Sequence, residues 1–138
     1  MAEVRVTRRF EAPPERVFDA WLDPAKARRF LFATPTGEMV VWEIDARVGG
    51  RFNLTDRRPE HGDIAHVGAF EVIERPRLLV LTFAVPQYDP GVTRVRVEIE
   101  PDGTGSRLTL IHTDVLPDWT EQTSQGWTMI LEALERAL

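Results

Sequence analysis

In the first ten residues, Val4, Val6 and Phe10 fall on one face of an extended segment, with charged residues on the other. A period of two predicts a strand with one buried face. Ala12-Pro13-Pro14-Glu15 then breaks the pattern and opens a helix, because proline fits a first turn but not a helix interior. Val17, Phe18, Trp21 and Leu22 follow at helical spacing. Asp23-Pro24 combines an N-cap with proline at the first helical position, and predicts a short second helix to about Phe30.

Period two then returns. Val40, Trp42 and Ile44 alternate with Val41, Glu43 and Asp45, and Gly49-Gly50 reads as a tight hairpin leading into Phe52 and Leu54. Arg57–Asp63 reads as a polar loop, 66–74 as a strand, and Arg75-Pro76-Arg77 as a turn into a further strand over Leu78–Val85. Pro86–Gly91 is a loop. Val95, Val97 and Ile99 alternate with Arg94, Arg96 and Glu98, giving one dry and one wet face. The turn Asp102–Gly105 leads into the strand Arg107–Thr113.

The last segment is helical. Trp119, Trp127, Ile130, Leu131, Leu134 and Leu138 form an apolar stripe, and Asp118 with Glu121 resembles a capping box. The fold class is α+β: one strand, two short helices, about six antiparallel strands and a long C-terminal helix. Seven strands make a sheet roughly 33 Å wide, whereas a helix covers only about 10–12 Å. The sheet must curl around the helix or expose a large apolar face, and curling leaves internal space.

Composition narrows the class. The 138 residues suit one domain, 1–138, and 43% hydrophobic residues suffice for a core. No cysteine is present, which removes disulfides, thiolate nucleophiles and cysteine-ligated metals. The N-terminus lacks the apolar core of a secretory signal and no segment is long enough to span a membrane, so a cytoplasmic protein is expected. Net charge is −5, and Lys26 is the only lysine among 17 basic residues. The paired arginines are interleaved with acids, which argues against nucleic-acid binding.

Candidate chemistry is sparse. His61, Asp63 and His66, beside Glu60, are metal-ligand types, but they span a loop and a strand start and read as solvated polar residues, with no metal expected. His112 shares a period-two face with Leu108 and Leu110. On an inner face it would orient a ligand or a structural hydrogen bond, and it is the one weak candidate for acid–base catalysis. No G-x-S-x-G elbow, Walker lysine motif or G-x-G-x-x-G is present, so no cofactor is expected. Arg94 and Arg96 read as outward-facing partners of nearby acids. The 12 aromatic residues are the stronger signal. From this set, Trp42, Phe52, Phe70, Phe83, Tyr88 and Trp119, together with His112, are the expected lining of an internal pocket, while Trp127 is expected to anchor the helix to the sheet.

Four stretches carry a family resemblance: RRFEAPPERVFDAWLDP (8–24), IDARVGGRF (44–52), HVGAFEVIERPRLLVLTF (66–83) and GWTMILEALERAL (126–138). They resemble the small bacterial proteins similar to the activator of the heat-shock-protein-90 ATPase, in the START-like or SRPBCC superfamily. The resemblance implies a helix-grip fold with a hydrophobic cavity for a lipid-like or polyketide-like ligand. It implies Gly49 and Gly50 as turn residues and Gly126 as a point of close helix approach. The superfamily also contains aromatic cyclases, so a cyclase/aromatase-type enzyme is the first alternative. A chaperone cofactor or stress-response interaction protein is the second. The eukaryotic activator has a separate N-terminal domain for which this chain has no room, so a small hydrophobic ligand is the expected partner ahead of a chaperone. The edge strands leave homodimer formation open.

Overall fold

A computed structural model describes residues 2–32, 34 and 36–138. Strand β1 (Ala2–Phe10) is followed by helices α1 (Pro14–Leu22) and α2 (Pro24–Phe30). Six strands follow: β2 (Glu38–Ile44), β3 (Arg51–Arg58), β4 (Gly62–Glu74), β5 (Leu78–Phe83), β6 (Thr93–Asp102) and β7 (Gly105–Val115). A 3-10 turn (Pro117–Trp119) leads into α3 (Thr120–Ala137). The strands form one seven-stranded antiparallel sheet in the order β1-β7-β6-β5-β4-β3-β2, so β1 returns beside β7 while β2 lies at the opposite edge.

The curved sheet wraps α3, as the width argument requires. Alternate residues of the central strands, among them Val95, Val97, Leu108 and Leu110, are fully buried, and they meet Leu131 and Leu134 of α3. The first helices close one end of this core with Phe18, Trp21 and Phe30. Proline and capping chemistry set their boundaries as the sequence predicts: Pro14 occupies the first turn of α1, and the Asp23 carboxylate accepts from the Ala25 amide at 3.0 Å. The fully buried Ser106 hydroxyl donates to the Ala12 carbonyl at 2.9 Å, tying the start of β7 to the chain entering α1. Ser106→Ala leaves that carbonyl without its partner and should lower unfolding free energy by about 1 kcal/mol in urea melts, with the fold retained.

Four local expectations change. Gly49-Gly50 ends a six-residue connection, 45–50, rather than forming a two-residue hairpin. Gly49 has φ +84, and a Cβ on Gly50 would lie 2.1 Å from the Asp45 carbonyl, so both glycines serve the turn. The expected loop over Arg57–Asp63 is mostly strand, because β3 and β4 extend through Arg58 and from Gly62 and pair there. The Asp118 cap does not form: the 3-10 turn intervenes, and Trp119 holds the N-cap position of α3 without a side-chain bond. Gly126 does not mark close approach, since a Cβ placed there would meet nothing within 4 Å.

Candidate ligand cavity

Between α3 and the concave side of β3–β7 the structure holds a cavity of about 380 Å³. Its wall is predominantly apolar, and its rim is formed by the 84–92 connection, the end of β7 and the start of α3. Tyr88 and Trp119 meet edge to face across the rim, with ring centroids 6.4 Å apart, and they are 50% and 43% exposed. Gly126 leaves α3 without a side chain where it lines the cavity.

β7 turns the face of Leu108, Leu110 and His112 inward, and His112 is 4% exposed. The Trp127 indole N–H donates to His112 Nδ1 at 3.0 Å. An indole nitrogen cannot accept, so Nδ1 holds the lone pair and the proton of the neutral ring sits on Nε2. Nε2 lies 2.6 Å from Thr93 Oγ1, whose hydroxyl donates to the Phe83 carbonyl at 3.1 Å. This chain of hydrogen bonds joins α3 to β7, β6 and the end of β5 and uses both imidazole nitrogens. Burial pushes the pKa of His112 down to about 4, against a smaller upward pull from Asp114. Protonation would also set an Nδ1–H against the indole N–H. Neither nitrogen is free to exchange a proton with a reacting group in this arrangement.

His66 on β4 is the second buried imidazole, 6% exposed, and it too lines the cavity. Nδ1 lies 2.9 Å from the carbonyl of Leu54, its cross-strand partner on β3. A carbonyl only accepts, so Nδ1 carries the proton and Nε2 the lone pair. Burial lowers the pKa of this ring, outweighing the Leu54 bond and the nearby Asp56 carboxylate, so it is neutral near pH 7. Asp56 is itself 1% exposed, and its Oδ2 accepts from Arg58 Nε at 2.6 Å.

The His66 ring stacks on Phe32 with centroids 4.3 Å apart, and Phe32 lies parallel to Phe83 at 4.9 Å. Phe32 adopts φ +61, which a bulky side chain rarely does; Asp114, the other non-glycine residue with positive φ among the described residues, also lines the cavity. Backbone strain of this kind persists where surrounding packing holds it, here at two residues lining one cavity.

The structure brings Phe83, Tyr88, His112 and Trp119 together around this space. It places three other expected lining residues elsewhere. Trp42 is 36% exposed on the edge strand β2, with the Arg28 guanidinium 4.4 Å over its ring, because the cavity reaches only from β3 to β7. Phe52 and Phe70 are buried core, 5.7 Å apart, bordering a separate void of about 10 Å³ that Trp21 and Leu31 have nearly filled. Phe32 and Trp127 touch both spaces and form the partition between them, so Trp127 lines the cavity as well as anchoring α3.

The expected solvated triad is dispersed: His61 is exposed, Asp63 pairs with Arg57 at 2.8 Å, and only His66 points inward. Among the described residues no group of three histidine or carboxylate side chains could hold a metal ion. Arg58 and Thr93 are not expected in the wall from sequence, Phe32 stands only in the wider aromatic set and not in the expected lining, and His66 reads as solvated. Polarity along β4 gives no signal for His66, because Ala65, Val67 and Ala69 between Ile64, His66, Gly68 and Phe70 are apolar too; only the burial of Ile64, His66 and Phe70 in the folded sheet marks their shared face. Phe32 follows α2 in a non-repeating segment, so only its aromatic character marks it.

The family described as Activator of Hsp90 ATPase homolog 1-like protein matches residues 11–138. The chain belongs to this family. A crystal structure of a protein from Chromobacterium violaceum is similar to it at 27% identity and TM-score 0.86, covering 97% of this chain and 94% of that one. The solution structure of an AHSA1-like protein from Aeromonas hydrophila aligns at 24% identity and TM-score 0.80, covering 99% and 91%. A protein from Arthrobacter aurescens aligns at 24% identity and TM-score 0.83, covering 98% and 84%. No curated protein matches the chain. These comparisons establish the AHSA1-like family and the helix-grip fold. Among the described residues no helix is long and apolar enough to cross a membrane.

Proposed function

We propose that this AHSA1-like protein binds a small apolar or aromatic molecule inside the helix-grip cavity. The observation that carries the reading is a cavity of about 380 Å³, within the size range of small-molecule sites, with a mainly apolar wall. Gly126 supports it, since the helix omits a side chain where one would fit without a clash.

Gly126 also provides the test. Gly126→Ala should raise stability by about 1 kcal/mol through helix propensity while leaving most of the space open. Gly126→Leu should fold but fill the cavity, and reduce uptake of an apolar dye such as Nile red by tenfold or more in fluorescence titrations. Equal dye binding by Gly126→Leu and the parent protein would place binding outside the cavity and overturn the reading. Native mass spectrometry of gently purified protein, followed by denaturation, would identify any molecule that copurifies.

A further inference from the structure

Polar groups lining the cavity narrow the chemistry of what it would hold. This inference rests on the binding reading above. Both His112 nitrogens are engaged within the protein. His66 differs: Nδ1 is tied to the Leu54 carbonyl, while Nε2 has no partner among the described residues and is not among the sealed, unpartnered atoms. The ring is fixed on one edge by that bond and on one face by Phe32. It therefore offers the cavity a rigid acceptor, and a neutral imidazole lone pair is complemented by a donor.

Charge points the same way. Arg58 is the cationic side chain of the cavity wall, and its guanidinium is matched by buried Asp56, so it brings no uncompensated positive charge. Two further carboxylates, Asp89 and Asp114, line the same space. A carboxylate ligand would meet the imidazole lone pair and these acids, and would lose its hydration as well. A hydroxyl on an apolar body would meet a ready acceptor.

We propose that His66 makes the cavity selective for neutral aromatic molecules bearing a hydroxyl, which donates to Nε2, over the same ring system without the hydroxyl and over its carboxylate. The parallel Phe32 and Phe83 rings beside His66 provide apolar surface for the aromatic body.

Three probes sharing one bicyclic body test this: naphthalene, 2-naphthol and 2-naphthoate, titrated into the full chain near pH 7.5. 2-Naphthol should bind about tenfold more tightly than naphthalene, the worth of one well-made hydrogen bond, and 2-naphthoate should bind most weakly. Long-range proton–nitrogen NMR should show the His66 Nε2 resonance moving with 2-naphthol and not with naphthalene. In His66→Phe, which keeps a ring on Phe32, the ratio of 2-naphthol to naphthalene affinity should fall from about tenfold to about one. The ligand series on the parent protein decides the matter even if that variant is unstable. Equal binding of naphthalene and 2-naphthol would overturn the role of His66 and leave the cavity reading standing. Tightest binding of 2-naphthoate would assign recognition to Arg58 and overturn the proposal. Binding of none of the three, with Nile red uptake unaffected by Gly126→Leu, would overturn the cavity reading and this proposal with it.

Discussion

Replacing Trp127 with alanine is expected to lower the free energy of unfolding by about 4 kcal/mol. Three losses combine. The indole is 3% exposed and packs against Trp21, Phe32, Phe83 and His112, with ring centroids 5.7–6.4 Å away, so truncation leaves a hole where α3 meets the sheet. Its N–H is the donor to His112 Nδ1, so a buried acceptor is orphaned. Its ring also helps divide the cavity from the small void beside Phe52, so the two spaces would merge. For a domain with about 5–15 kcal/mol of stability, a loss of this size leaves a marginal protein. Trp127→Phe separates the contributions: it keeps much of the packing and removes only the donor, and should cost about 1–2 kcal/mol. Urea denaturation followed by far-ultraviolet circular dichroism checks both. A loss below about 1 kcal/mol in Trp127→Ala would mean that α3 is held mainly by Leu131 and Leu134.

The second large effect is acid destabilisation that begins well above the carboxylate range. His112 is neutral in the fold with a pKa near 4, against an ordinary histidine value of 6.5. The unfolded chain takes up a proton that the folded ring refuses. Stability from this group is thus fully present above pH 6.5 and is lost as pH falls toward 4. At pH 5 the loss from His112 alone is about 2 kcal/mol, approaching about 3 kcal/mol at lower pH. His66, also lowered by burial, acts in the same direction, with Asp56 pulling its pKa up and Arg58 pushing it down. Asp19, Asp63 and Glu71 are held below the usual carboxylate range by Arg75, Arg57 and Arg94, so their titration belongs to more acidic solution. Urea midpoints measured between pH 7.5 and 5 should therefore fall steeply in the parent protein. His112→Gln should flatten that dependence although it lowers stability at pH 7.5. An unchanged slope in that variant would show that His112 is not responsible.

Much of the architecture was legible in the order of periods. Val95, Val97 and Ile99, and likewise Leu108, Leu110 and His112, repeat every second residue because a strand sends alternate side chains to opposite faces. Pro14 and Asp23-Pro24 mark helix starts because proline and aspartate satisfy first-turn backbone constraints locally. These signals depend on neighbours in the chain, so one sequence carries them. They fixed seven strands, two short helices and a C-terminal helix, and with sheet width they required a curved sheet around α3.

The cavity was a tertiary matter. Trp42, Phe52 and Phe70 have the same aromatic and strand character as Phe83, yet one lies on an exposed edge and two are in filled core. What separates them is strand order and the reach of α1 and α2, which fill the sheet near Phe52 with Trp21 and Leu31 and leave it open near Phe83. The same holds for the two buried histidines. Periodicity put His112 on the face of Leu108 and Leu110 and left open which face is inner; a tryptophan 15 residues on, brought back by α3, uses its lone pair, while the Leu54 carbonyl 12 residues before His66 engages one nitrogen of that cavity-lining ring. Local pattern decides which side chains share a face. Whether a side chain meets a partner or empty space depends on residues far away along the chain, because packing and hydrogen bonding are pairwise and only the folded chain chooses the pairs.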